Sequence, residues 1–84
     1  MFEVNTVYRN EQVETKRVVC YGFTYVVPTH INYVAVDEDG TIMGYCFKPK
    51  EKDGRHYWSS EDDVPFEMGT VRFEGNWRES LIEV

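Results

Sequence analysis

The chain has 84 residues, a formal net charge of −6, 42% hydrophobic and 29% charged residues. That is enough for one small domain over residues 1–84 and too little for two. One leucine and one alanine stand against 12 valines, 3 isoleucines, 6 threonines and 13 aromatic residues. This excludes a helical bundle, a coiled coil and a transmembrane helix, because β-branched and aromatic side chains suit a pleated surface while leucine and alanine favour helices.

Phe2, Val4, Thr6 and Tyr8 alternate with Glu3, Asn5 and Arg9, a period of two that predicts a first strand. Asn10-Glu11-Gln12 is turn-like. From Thr15 to Val27 the chain is a β-rich run interrupted by Gly22 and ended by Pro28. It reads either as one long bent strand or as two strands meeting at a corner.

The segment Tyr33 to Phe47 is the clearest local signal. Asp39-Gly40 sits between two alternating runs, which predicts a hairpin. A three-residue loop, Glu38-Asp39-Gly40, with Gly40 in the left-handed region sets Asp37 against Thr41. Val36 then faces Ile42, Ala35 faces Met43 and Tyr33 faces Tyr45. Tyr33, Ala35, Met43, Tyr45 and Phe47 share one face, and Val34, Val36, Ile42 and Cys46 the other. Both faces are apolar, so the hairpin is expected in the middle of the sheet or covered on both sides.

Lys48 to Arg55 reads as a solvated loop, Tyr57-Trp58 returns to apolar character, and Ser59 to Asp63 forms a second polar loop punctuated by Pro65. Thr70 to Glu74 reads as another strand. Asn76 with Glu79 makes an N-x-x-E capping pattern for a short helical turn, with Trp77 and Leu81 on one face; an edge strand is the alternative for this ending. The expected fold is all-β, or β-rich α+β. It is one small antiparallel sheet of five to six strands curled into a barrel or sandwich, with one short C-terminal helical turn.

No catalytic or metal-binding pattern is expected. A calcium loop around Asp37-Glu38-Asp39-Gly40 needs acids where Ala35 and Cys46 stand. His30 and His56 are the only histidines, and with Cys20 and Cys46 they form no zinc spacing. Ser59, Ser60 and Ser80 lack a nucleophile-elbow context, and no phosphate-binding glycine loop is present. The chain is therefore read as non-enzymatic and without a cofactor. Cys20 and Cys46 lie in apolar runs and are read as reduced thiols of a cytoplasmic protein. The N-terminal residues show no signal-peptide pattern, and no apolar run is long enough to span a bilayer.

Two charge clusters remain as candidate sites. Lys48, Lys50 and Arg55 sit in one loop beside Tyr57 and Trp58, a set that suits phosphate and base-stacking contacts. From Glu61 to the end, seven acids face two bases, a balance of −5. Tyr57, Trp58, Glu61, Asp62, Asp63 and Glu67 form the candidate partner-binding set, aromatic anchors beside acids that suit a basic groove. Negative overall charge argues against direct nucleic-acid binding.

Residues 31–84 resemble small accessory proteins of large lytic bacteriophages, a class without assigned chemistry. The resemblance is carried by Tyr33-Val34-Ala35-Val36-Asp37-Glu38-Asp39-Gly40, by Phe47-Lys48-Pro49, by Trp58, and by the ending Asn76-Trp77-Arg78-Glu79-Ser80-Leu81. It implies action in the host bacterial cytoplasm on a host protein, such as a defence or nucleic-acid-binding protein, and transfers no catalytic residue. The alternatives are an oligomeric sponge that sequesters a nucleotide signal and a nucleic-acid mimic.

Overall fold

The computed structural model describes residues 14–51, 54–61 and 63–84. The strand expected over residues 2–8 lies outside them. The described chain is strand-rich: β1 (Thr15–Cys20), β2 (Phe23–Pro28), β3 (Tyr33–Val36), β4 (Thr41–Tyr45), β5 (Lys50–Glu51), β6 (Trp58–Ser59), β7 (Phe66–Thr70) and β8 (Ile82–Glu83), with a 3-10 turn at Trp77–Glu79. These strands form three antiparallel sheets rather than one: β1-β2, β7-β4-β3-β8 and β5-β6.

The central hairpin has the register that its turn chemistry predicts. Tyr33 pairs with Tyr45, Ala35 with Met43 and Val36 with Ile42. The Asp37 N–H donates to the Thr41 carbonyl and the Gly40 N–H to the Asp37 carbonyl, both at 2.9 Å. Gly40 has φ 93°, which a glycine adopts without a Cβ penalty. β3 and β4 are the two inner strands, and both their faces are covered. On one face Val34, Val36 and Ile42 pack with Val18, Cys20 and Val27 of the β1-β2 hairpin and with Ile31. On the other, Ala35 and Tyr45 pack with Trp58 of β6 and Trp77 of the 3-10 turn. The four-stranded sheet is thus the middle of three layers. Val27, Ile31, Val34 and Ile42 are fully buried. Each such side chain is worth about 1.5–3 kcal/mol of apolar transfer.

Three local expectations are corrected. The run from Thr15 to Val27 is neither a bent strand nor a corner but a tight hairpin, because Cys20 pairs with Phe23 across the two-residue turn Tyr21-Gly22. Both turn residues have positive φ, 53° and 85°, as a primed turn requires. A tyrosine is an unfavourable first turn residue, at about 1–2 kcal/mol. Tertiary contacts hold it there: its hydroxyl donates to the Ser80 carbonyl at 2.6 Å, and its ring meets Phe73 edge-on at 5.7 Å. The strand expected over residues 70–74 lies instead at Phe66–Thr70. The register shifts between Ile42 and Met43, so that Met68 is an extra residue and packs against the core. Finally, Lys50–Glu51 is not loop but pairs with Trp58–Ser59.

The C-terminal segment combines both endings that the sequence allows. Asn76 caps the 3-10 turn by accepting the Arg78 N–H at 3.0 Å, and Ile82–Glu83 then adds to β3 as an edge strand. Ser80 lies between them, buried. Its hydroxyl accepts the Val36 N–H at 2.8 Å and donates to the Val36 carbonyl at 3.2 Å. It thereby replaces the ladder partner that the short β8 cannot supply at that position.

Candidate functional site

The residues proposed from the sequence fall into separate environments. Trp58 is a core residue. Its indole N–H donates to the Val36 carbonyl at 3.1 Å, its ring meets Trp77 edge-on at 6.3 Å, and only 7% of it is exposed. Its ring is therefore not available as an interface anchor. Tyr57 is exposed, and its hydroxyl accepts from Arg55 Nη1 at 3.1 Å. Glu61 and Glu67 are exposed, Asp63 is partly buried, and Asp62 lies outside the described residues.

Asp63 has an internal task. One of its oxygens, Oδ2, accepts the N–H groups of Cys46 and Phe47 at 2.6 and 2.9 Å. This ties the 63–66 segment to the end of β4. Phe66 pairs with Gly44 at the same end. Three large apolar side chains there are exposed: Phe47 at 56%, Val64 at 86% and Phe66 at 36%. They were not among the residues proposed from the sequence. The available signal was Val64-Pro65-Phe66 lying between Asp63 and Glu67 with no polar partner in alternation. A second set of exposed apolar residues, Val19, Phe23 and Val26, lies on the β1-β2 hairpin.

Lys48 and Lys50 line an open cleft of about 520 Å³ together with Phe47, Glu51, Ser59, Ser60 and Glu61. Arg55 does not line it. Pro49, between the two lysines, is fully buried. Glu51 is held by Arg78 Nε at 3.2 Å, and the Arg78 guanidinium lies 4.6 Å from the centre of the Trp77 ring. The β5-β6 hairpin is thereby tied to the C-terminal turn.

At the far end of the central hairpin, Asp37 Oδ1 accepts the Trp58 N–H at 2.8 Å, and His56 Nδ1 lies 2.9 Å from Glu38 Oε1. Burial raises the Asp37 pKa above its usual value; the Trp58 N–H opposes this and the Asp39 charge adds to it. Exposed Asp39 shifts the other way, lowered chiefly by the Thr41 N–H. For Asp37, ionisation costs more in the folded than in the unfolded chain. Its contribution to stability is therefore greatest below the unfolded value of 3.8 and is lost as pH rises through the higher folded value. Asp37→Asn keeps the acceptor for Trp58 and cannot ionise. Urea unfolding across a pH series is expected to show the variant gaining on the parent from pH 3 to pH 6. A difference that is flat, or that favours the parent as pH rises, contradicts this account.

Among the described residues no three His, Cys, Asp or Glu side chains gather as a metal site, and no helix is long and apolar enough to cross a membrane. Cys20 and Cys46 are unbridged, and burial raises the Cys20 thiol pKa, which lowers its reactivity. No protein-family model, curated protein or solved structure matches this chain.

Proposed function

We propose that the protein works by binding and not by catalysis, as a bacteriophage accessory protein that docks on a host protein in the bacterial cytoplasm and blocks it. The observation that carries this reading is the exposed apolar end of the central sheet. Val64 stands in solvent and Phe66 is partly exposed beside Glu67, and Phe47 lies at the same end with Glu61 nearby in the cleft lining. Aromatic and apolar side chains left in water beside acids suit a partner with an apolar pocket rimmed by lysine and arginine. A nucleic-acid-handling protein offers a basic face of this kind, because it must neutralise phosphates. Glu61 and Glu67, both exposed, supply the matching charge at this end. Compared with the set proposed from the sequence, Glu61 and Glu67 stay in the surface, Phe66 and Val64 take the anchoring role of Trp58, and Asp63 acts as a brace.

The test is capture of host proteins from bacterial lysate on the immobilised chain, at low and high salt, with two variants as controls. Val64→Asp with Phe66→Asp removes the apolar anchors, and Glu61→Lys with Glu67→Lys reverses the rim; Asp63 is left intact so that the segment keeps its anchor. The expected result is a discrete partner whose capture falls at least tenfold in each variant and weakens with salt. Failure to enrich any partner at micromolar bait, or capture indifferent to both variants, overturns the reading.

A further inference from the structure

The cleft between the end of β4 and the β5-β6 hairpin borders the docking surface at Phe47 and Glu61 and adds Lys48, Lys50, Ser59 and Ser60, which that surface does not use. Its lining includes Phe47, with more than half its surface in solvent, and the adjacent Lys48. Lys50 also lines it with Ser59, which pairs with it in register, and with Ser60 and Glu61. Pro49 is buried between the lysines, so the chain that presents them is anchored at its midpoint. The Glu51 carboxylate is engaged by Arg78.

We infer that this cleft binds a nucleoside monophosphate. Ammonium groups and hydroxyls are the donors that hold phosphate oxygens. An exposed aromatic face is a platform for a base, tolerant of which base it is. The volume of about 520 Å³ lies within the range of small-ligand sites. With Glu51 paired to Arg78, Lys48 and Lys50 set against Glu61 leave the lining one positive charge in excess, which favours a single phosphate group. A nucleic-acid strand fits poorly, because each further phosphate meets a molecule of net charge −6. The two readings fail separately although Phe47 and Glu61 border both, because Val64 and Phe66 do not line the cleft and Lys50 is no part of the docking surface.

The probes are AMP, GMP, CMP and UMP, with adenosine, inorganic phosphate and a ten-residue oligonucleotide, titrated calorimetrically into the full chain. The expected result is saturable binding of at least one monophosphate, at least tenfold tighter than adenosine or inorganic phosphate. Phe47→Ala is expected to weaken it about tenfold. Lys50→Glu is expected to weaken it further and to flatten its salt dependence. Both side chains are exposed, so both variants should melt like the parent, and Val64→Asp with Phe66→Asp should leave nucleotide binding unchanged. No saturation by any of the four at 1 mM overturns the inference, as does binding that survives both cleft substitutions. Equal affinity for inorganic phosphate overturns it too, by leaving an anion site without a base platform. Tighter binding of the oligonucleotide would point to a strand-binding site instead.

Discussion

Trp58→Ala is expected to destabilise the protein by about 3–5 kcal/mol, the usual cost of truncating a buried aromatic residue. A chain of this size has only about 4–13 kcal/mol to lose. The indole fills the layer between the middle sheet and the C-terminal turn, where it meets Trp77 edge-on and packs with Ala35 and Tyr45. No neighbouring side chain can close the gap, because Trp77 is itself held by its own turn and by Arg78. Trp58→Phe should cost less, about 2 kcal/mol, from the lost hydrogen bond and a smaller cavity. It loses the indole donor, but the Val36 carbonyl keeps the Ser80 hydroxyl. Urea unfolding followed by far-ultraviolet circular dichroism separates the two variants. Equal and small losses would show that Trp58 is not the centre of this layer. The same experiment bears on function: if Trp58 serves folding alone, any partner should be lost in proportion to the unfolded fraction and not beyond it.

Gly40→Ala is expected to cost about 3 kcal/mol, from two sources that act together. The residue has φ 93°, where a side chain is strained. A Cβ there would also stand 2.6 Å from the Val71 carbonyl oxygen. That oxygen is backbone, and the Val71 N–H is bonded to the Gly40 carbonyl at 2.8 Å, so the two chains are locked at this distance. Gly22→Ala is the internal control. Its φ is 85°, but nothing lies within 4 Å of the added Cβ. It should cost only the backbone strain, about 1–2 kcal/mol. Thermal melts of both variants decide the matter. If Gly22→Ala costs as much as Gly40→Ala, the close approach of Val71 contributes nothing.

These two positions also show where sequence reasoning reaches and where it stops. The Gly40 hairpin was legible because Asp-Gly between alternating runs dictates its own turn within a dozen residues. The Tyr21-Gly22 hairpin was not, although it is tighter. Its first turn residue is a tyrosine, tolerated because Ser80, 59 residues later, accepts its hydroxyl. The strand at Phe66–Thr70 was displaced in the same way, since the bulge that sends Met68 inward is set by pairing with β4. Of the basic loop residues Lys48, Lys50 and Arg55, the first two line a common cleft and Arg55 does not. Within the acidic run, Asp63 does not belong to the exposed surface. Asp63 turns inward to two N–H groups that lie 16 and 17 residues earlier in the chain.

Composition, period-two patterning and local turn and cap signals by themselves determined an all-β chain, a central hairpin in a stated register with two apolar faces, and a capped turn near the end. Each of these rests on interactions between residues close in sequence, which act before any tertiary contact forms. The tertiary structure decided how strands divide among three sheets, which tryptophan face is hidden, which acids are structural and which apolar residues are left in water. Those outcomes depend on the packing of layers that meet across long loops. An aspartate, a tyrosine or a serine has the same local signature whether its partner is water or a backbone group far along the chain. Only the fold chooses between them.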